Sequence, residues 1–391
     1  MKKSISKLFK LTVLSVLIAT TSCSSDDDGG GSSSTFELVR EDLQGTINDG
    51  VVTLESGTYK LTGKLVVGNN ATLVIKPGVV IEATELAAGQ FESVRYIAVA
   101  QGGKIDVQGT STNPVVMTSA VNTPGAWGGL VICGKAPINK GTSASAEVSD
   151  LTYGGTDVFD NSGSIKYLRI EYSGYAYNAD KEFNGLSLFG VGKDTTIEYV
   201  QVHNGSDDGF EWFGGTVDAK YLVVSSFSSE VGDDLFDWTE GWNGVGQYWY
   251  GKRTNNGNRG IEADNNSNDH MATPISNPSI SNLTLIGNNA GPENQAMKLR
   301  VGTKAIFDNV VLSNWGTGFD VQHNESVDYV GTQELKATNV KFDNVTLTSK
   351  GTNTAGETVD VSAIYTINEA AVGAGNGTAK PTWANGWTVG L

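Results

Sequence analysis

Seven acidic residues in the middle of the chain have the types and the spacing to do chemistry. They are Asp207, Asp208, Glu211, Asp233, Asp234, Asp237 and Glu240. The two Asp-Asp pairs begin 26 residues apart, so in a stacked fold we expect them on adjoining coils. Carboxylates that close repel one another and need a proton, a hydrogen-bond donor or a cation. Ca²⁺ takes about six to eight oxygen ligands, so the four aspartates are a candidate structural Ca²⁺ site. The alternative is that they end strands and accept hydrogen bonds from turn amides.

The same acids also allow a catalytic interpretation. Asp207-Asp208-Gly209-Phe210 resembles the acidic motif of polygalacturonase-type glycosidases, and Lys298-Leu299-Arg300 resembles their basic motif. Under this alternative the catalytic residues are Asp207, Asp208, Asp233, Asp234, Lys298 and Arg300. A hydrolase would use two carboxylates, and a polysaccharide lyase would use Lys, Arg or His to take the proton. Asn184 stands where the glycosidases have a further Asp, and no Gly-His-Gly occurs. Catalysis is therefore the less favoured interpretation.

Aromatic residues follow the second Asp-Asp pair. They are Trp238, Trp242, Tyr248, Trp249 and Tyr250, and Lys252 and Arg253 come directly after them. Flat rings beside carboxylates suit the apolar faces and the hydroxyls of sugars, so this segment is a candidate glycan-binding platform. The alternative is that the rings pack a coil insertion against the body or face a protein partner.

A repeated six-residue pattern reveals the elements that must position these residues. Apolar residues hold its first, fourth and sixth places, and its third place is always Tyr or Asn. The copies are residues 165–170, 197–202, 219–224, 280–285, 307–312 and 342–347. Most steps between copies equal about one solenoid coil. We expect Asn282, Asn309 and Asn344, each at the third place, to stack with their amides bonded to each other.

A second repeated column follows the first, at residues 209–212, 235–238, 260–263 and 318–321. Two columns with similar steps predict an all-β fold, a right-handed parallel β-helix with loop insertions, in which each short strand lies above its equivalent. Phe210 and Phe236 should then lie in one vertical row. The alternative is an all-β sandwich.

The beginning of the chain predicts export and lipidation. Residues 1–22 have a basic start and a short apolar stretch, which is typical of a signal peptide. They end before Cys23, and Thr20-Thr21-Ser22-Cys23 resembles the lipobox of bacterial lipoproteins. Cys23 is the predicted lipidation site, and residues 23–35 form a predicted acidic, Gly- and Ser-rich tether. Residues 36–391 are the predicted β-helix domain.

Composition excludes several classes of protein. The 391 residues are 39 % hydrophobic, too apolar for a disordered chain, and two cysteines cannot form a disulfide scaffold. Cys133 has an apolar flank and should be a buried small hydrophobe. The formal net charge of −16 argues against nucleic acid as a partner, because an acidic surface repels phosphate.

The Gly-rich coils resemble a family of β-helix surface lipoproteins of Bacteroidota that has no assigned activity. The resemblance is carried by residues 127–139, 205–215, 236–242 and 383–388. It implies a lipoprotein of the outer membrane that faces the cell exterior. We therefore expect a binding module, whose partner is a polysaccharide or a neighbouring outer-membrane protein. The alternative is a carbohydrate-active enzyme, a polysaccharide lyase or glycoside hydrolase.

Overall fold

The computed structural model describes residues 33–86, 93–178, 181–228 and 232–391. Most of its strands are short, and most pair in parallel. They are β1 (Leu43–Ile47), β2 (Val51–Leu54), β3 (Thr58–Val67), β4 (Thr72–Ile75), β5 (Val80–Ala83), β6 (Tyr96–Val99), β7 (Lys104–Gln108), β8 (Val115–Ser119), β9 (Leu130–Cys133), β10 (Ala144–Ser145), β11 (Thr152–Tyr153), β12 (Gly163–Glu171), β13 (Ala176–Asn178), β14 (Lys181–Glu182), β15 (Leu186–Phe189), β16 (Thr196–His203), β17 (Phe210–Phe213), β18 (Ala219–Ser226), β19 (Phe236–Thr239), β20 (Val245–Arg253), β21 (Ile261–Ala263), β22 (Ser279–Ile286), β23 (Gln295–Leu299), β24 (Ala305–Gln322), β25 (Leu335–Thr352), β26 (Thr358–Val359) and β27 (Tyr365–Ile367). One α-helix, α1 (Asn324–Thr332), separates β24 from β25.

The parallel strands stack into three walls around one apolar interior. The first wall contains the second half of β3, then β6, β9, β15, β17, β19, β21 and β23 in that order, and it ends in the last parts of β24 and β25. The second wall contains β2, β4 and β7, and the third contains the first half of β3, β5 and β8. From β12 on, the long strands run through both of these walls and join them at a corner. The prediction of a parallel β-helix with insertions is confirmed.

Alternation of inward and outward side chains explains why this sequence forms coils. Strands such as β4 and β5 bury every second residue completely, and the inward Leu, Ile and Val side chains fill the interior. No coil could bury its apolar face alone, because each one is covered by the coil above and the coil below it.

A ladder of left-handed residues forms the corner between the second and third walls. Tyr167, Tyr199, Tyr221 and Tyr248 occupy it first, with φ between 51° and 60° and ring centroids 4.3 to 4.9 Å apart. Asn282, Asn309 and Asn339 continue it at the same φ. Asparagine tolerates this conformation better than most residues do, and the Asn309 amide donates to the Asn282 side-chain oxygen at 2.7 Å.

The third predicted member of the asparagine ladder is wrong. Asn344 donates at 2.7 Å to Asn314, at the next corner of the coil, and Asn339 is the residue that lies above Asn309. The sequence Phe342-Asp343-Asn344 repeats Phe307-Asp308-Asn309, but Phe342 pairs with Leu312, and Phe307 pairs with Ala337. The local copy is therefore displaced by five positions from the register that the backbone adopts.

Two hairpins and the C-terminal segment cover the outside of the coils. The hairpins β10–β11 and β13–β14 flank the first wall, and a second apolar cluster lies beneath them. Cys133 belongs to that cluster and is completely buried, as predicted. The C-terminal segment returns along the corner ladder, where Trp387 packs edge-on against Tyr167 and Tyr199.

The predicted signal peptide, Cys23 and residues 23–32 of the predicted tether lie outside the described residues. Ser33, Ser34 and Thr35, which the sequence assigned to the tether, pack with the body. Ser33 forms a bridge with Val51, and both Ser34 and Thr35 donate hydrogen bonds to Asp49. In the part of the chain that is described, no helix is long and apolar enough to cross a bilayer.

Candidate functional site

The outer face of the first wall brings the predicted acidic residues together. Phe210 pairs with Phe236, so the vertical row expected from the sequence is confirmed. The next outward residues, Glu211 and Asp237, pair in the same register, and Asp237 pairs in turn with Glu262. Three carboxylates thus occupy consecutive coils at the spacing of paired strands, about 4.8 Å.

These carboxylates form three overlapping triads, in each of which the ligand atoms lie within 4.8 Å of one another. The first triad is Asp208, Glu211 and Asp237. The second triad is Asp234, Asp237 and Glu262. The third triad is Asp207, Asp208 and Asp233. We call the seven residues together the acidic cluster.

The second triad repeats the first triad one coil further along the solenoid. Asp234 stands two residues before Phe236 as Asp208 stands two residues before Phe210, and Asp237 and Glu262 lie one coil above Glu211 and Asp237. One coil beyond the second triad, basic residues occupy the equivalent positions. Arg259 precedes Ile261 by two residues, and Lys298 pairs with Glu262. One coil before the first triad, the equivalent positions hold uncharged residues. Asn184 precedes Leu186 by two residues, and Ser187 pairs with Glu211.

Arginine neutralises two of the three carboxylates of the second triad, Asp234 and Glu262. The Arg259 guanidinium lies 3.3 Å from Asp234 and 2.6 Å from Glu262. Arg300 contacts the other oxygen of Glu262 at 2.6 Å and Asp264 at 2.8 Å. Arg259 is 7 % exposed, so solvent screens these ion pairs little.

The first triad has no such counter-ion. Asp208 accepts the backbone N–H of Asp234 at 2.7 Å, and Glu211 accepts the Asn184 side-chain amide at 2.5 Å. The Asp237 carboxylate accepts no hydrogen bond from the described residues, and none of their lysine, arginine or histidine side chains forms an ion pair with this triad. Oxygen ligands without a cationic partner are a donor set that suits Ca²⁺.

Burial shifts the proton affinity of the first triad. Loss of solvation, together with repulsion from neighbouring carboxylates, raises the pKa of Asp208, Glu211 and Asp237 well above the usual range. The same causes raise the pKa of Asp207. The site therefore favours either bound protons or a bound cation.

The membership of the acidic cluster differs from the predicted set of acidic residues. Asp233 accepts a hydrogen bond from the Asn258 amide and joins only the third triad. Glu240 lies outside all three triads, because it accepts the Tyr153 hydroxyl at 2.6 Å and pairs with Lys140 at 3.0 Å. Glu262 was missed, although it belongs to the second repeated column at residues 260–263 and could have been found there.

The basic residues of the catalytic alternative lie beside the acidic cluster but are engaged in ion pairs. Arg300 is held by Glu262 and Asp264. The Lys298 ammonium lies 3.7 Å from Glu293. A base that takes a substrate proton must give up such contacts first, so the arrangement supports charge neutralisation more directly than proton abstraction.

The predicted aromatic platform is wrong, since four of its five rings are inside the protein. Trp238, Trp242 and Trp249 are completely buried, and Tyr250 is 1 % exposed. The indole N–H groups of Trp242 and Trp249 donate to the carbonyl oxygens of Val217 and Ala219, both at 3.1 Å. Tyr248 is half-buried and stacks on Tyr221 in the corner ladder.

Glycine makes the interior wide enough for these rings. A Cβ atom on Gly246 would lie 2.7 Å from the Trp249 ring, and one on Gly244 would lie 2.6 Å from the Trp242 indole nitrogen. The glycines of this segment thus leave space for the inward packing of its tryptophans. The alternative of packing, which the sequence left open, describes these tryptophans.

Comparison with known proteins agrees with this architecture. Residues 45–388 match the model of a family described as the pectate-lyase like beta helix domain. No curated protein and no solved structure matches the chain. Because the matched region covers most of the sequence and its stacked strands are those described above, the chain belongs to the pectate-lyase-like β-helix domain family.

Proposed function

We propose that the protein is a lipid-anchored cell-surface protein that binds an acidic polysaccharide at the acidic cluster, through a divalent cation held by the first triad. Membership in a pectate-lyase-like family fits a carbohydrate-related role, and pectate is itself an acidic polysaccharide. Cys23 would carry the lipid, and the tether would hold the β-helix away from the outer membrane.

The observation that carries the proposal is the missing counter-ion of the first triad. Three carboxylates within 4.8 Å of one another are costly unless a cation joins them. Asp208, Glu211 and Asp237 would be ligands of Ca²⁺. If each carboxylate supplies one oxygen, Ca²⁺ has three of the roughly six to eight ligands that it takes and can also accept oxygens from a polysaccharide.

Gel electrophoresis through immobilised polysaccharides tests the proposal. In a panel of gels with acidic or neutral polysaccharides, the acidic gels should retard the wild-type protein when Ca²⁺ is present, and much less with a chelator. Asp237→Asn should abolish the Ca²⁺-dependent retardation. Asp194→Asn, at an exposed turn outside the cluster, should migrate like wild type. Retardation that is absent, or equal with Ca²⁺ and chelator, would refute the proposal.

Incubation of the protein with the same polysaccharides in solution tests the enzyme alternative. The observation in its favour is that Lys298 lies one coil above Glu262, at the edge of the acidic cluster. A hydrolase would release new reducing ends, and a lyase would generate the absorbance of unsaturated uronates. Binding without either product supports the binding function over catalysis.

A further inference from the structure

A cavity of about 350 Å³ opens beside the first wall, at a distance from the acidic cluster. Its lining includes Lys64 and Tyr96 from the wall, Asp150 from the turn between β10 and β11, and Tyr177 from β13. We call it the hairpin pocket. Its volume lies within the range of small-molecule sites, about 300 to 1,000 Å³.

Three polar groups of the hairpin pocket have no hydrogen-bond partner among the described residues. Lys64 and Asp150 line the same cavity but form no ion pair with each other, and neither side chain has a hydrogen bond to another described residue. The Tyr96 ring is 5 % exposed, and its hydroxyl also has no partner among the described residues. The Lys64 ammonium and the Asp150 carboxylate are exposed to solvent, and the Tyr96 phenol is buried, so all three groups line one cavity with hydrogen-bonding capacity left for a polar ligand.

Aromatic rings form the other side of the hairpin pocket. Tyr96 packs on Phe183 with centroids 5.0 Å apart, and Tyr177 packs on Phe183 at 5.8 Å, so both rings are held in place. Tyr177 remains 37 % exposed. A fixed ring edged by hydrogen-bonding groups suits a ligand with an apolar face and a rim of hydroxyls.

We propose that the hairpin pocket binds one acidic sugar ring of the polysaccharide, with the sugar carboxylate at Lys64, hydroxyls at Asp150 and Tyr96, and the ring face on Tyr177. The inference rests on the proposed function, because it places a second contact for the same polymer. It also supplies the exposed aromatic contact that the buried tryptophans do not provide.

The geometry of the first wall connects the two sites. Tyr96 begins β6, and β17 follows three coils later through β9 and β15, which is about 14 Å along the solenoid axis. The hairpin β13–β14 bridges the interval. Tyr177 on its first strand lines the pocket, and Glu182 on its second lies near enough to Asp207 to repel it. A short extended oligosaccharide can therefore contact both sites.

Two probes test the hairpin pocket separately from the acidic cluster. The first is tetragalacturonate with Ca²⁺, measured by titration calorimetry on the whole protein. Lys64→Gln and Tyr177→Ala should each weaken its binding about tenfold, the effect of losing one good charged or stacking contact. Lys104→Gln, an exposed lysine on the second wall, should bind like wild type.

The second probe is methyl galacturonide in a chelator, detected by saturation-transfer NMR. Its signal should survive Asp237→Asn and disappear in Lys64→Gln, which alters the wall and leaves the hairpins intact. The pocket is refuted if wild type gives no signal with this monosaccharide, or if Lys64→Gln and Tyr177→Ala bind both probes as wild type does. If Asp237→Asn and chelator leave tetragalacturonate binding unchanged, the cation-dependent function fails instead.

Discussion

Glu211 and Asp237 lie directly in register on neighbouring coils of the first wall, and no basic side chain among the described residues pairs with either of them. Glu262, one coil further along, contacts both Arg259 and Arg300. Like charges directly opposite each other across paired strands destabilise a sheet. The wall therefore carries Asp234 and Glu262 paired with arginine, next to Asp208, Glu211 and Asp237 without such a pair.

Asp237→Asn should stabilise the cation-free protein, because it removes one of the repelling carboxylates of the first triad. We expect a gain of about 1 kcal/mol, seen as a small rise in melting temperature in chelator. The variant should also lose the stabilisation that Ca²⁺ gives wild type, about 2.7 kcal/mol at a hundredfold excess over Kd. Differential scanning calorimetry with and without Ca²⁺ measures both effects. A variant that still gains stability from Ca²⁺ would contradict the site.

The pH dependence of stability should differ between the cation-free and the Ca²⁺-loaded protein. The pKa values of Asp208, Glu211 and Asp237 are raised by burial, so the folded state binds more protons than the unfolded state above pH 4. Stability in chelator must then fall as pH rises from about 4.5 through the folded pKa values. Bound Ca²⁺ replaces those protons and should flatten the decline. Melting curves from pH 4.5 to 8 measure it, and parallel curves would count against the cation.

Local periodicity was enough to predict the coils and the position of the acids. The step from Phe210 to Phe236 is short and regular, so the stacking of their neighbours follows from sequence spacing. The direction of the tryptophan side chains did not follow, because inward and outward positions alternate and a segment such as β20 contains both. Trp249 points inward, where Gly246 leaves space for it.

Contacts between distant segments left no local signal. The hairpin pocket combines β3, β6 and two hairpins, and the spacing of Lys64 and Tyr177 predicts nothing about their meeting. The C-terminal segment is similar, since its glycines and tryptophans do not reveal that it will return along the corner ladder. At Asn344 the local sequence pattern was present but misleading, because the repeat lies in a different register from the strand pairing.

Trp387→Ala should destabilise the fold strongly, although Trp387 lies only four residues from the end of the printed sequence. Its side chain is completely buried against Tyr167 and Tyr199, and its N–H donates to the Trp383 carbonyl at 2.9 Å. Removing a buried tryptophan costs about 3 to 5 kcal/mol. Val372→Ala, in the same segment but 50 % exposed, is the matched control. Equal denaturation midpoints for the two variants would show that the segment does not clamp the ladder.

Cys23→Ser should release the protein from membranes without changing the β-helix. A thioether-linked lipid requires the cysteine sulfur. The described β-helix begins at Ser33, which forms a bridge with Val51, so its contacts do not include Cys23. Fractionation of cells should find wild type in the outer membrane and the variant in the soluble fraction, with equal melting temperatures. Cys133→Ser is the control, because Cys133 is buried and should not affect localisation. Membrane association that persists in Cys23→Ser would refute the lipid anchor.

Arg259→Gln should make the second triad more like the first triad, with Arg300 left as its remaining cationic partner, on one oxygen of Glu262. The guanidinium that it removes neutralises Asp234 and Glu262, and breaking a buried ion pair typically costs about 3 to 5 kcal/mol. We expect most of that loss in chelator and a partial recovery with Ca²⁺, because Asp234 and the freed oxygen of Glu262 can then bind a second ion together with Asp237. Calorimetric titration should count one site in wild type and two in the variant, while Arg259→Lys should keep the wild-type count. Within the acidic cluster Arg259 forms ion pairs with Asp234 and Glu262 and with no ligand of the first triad. A variant that loses the site already present in wild type would therefore show that the two triads act as one centre and not as two separate sites.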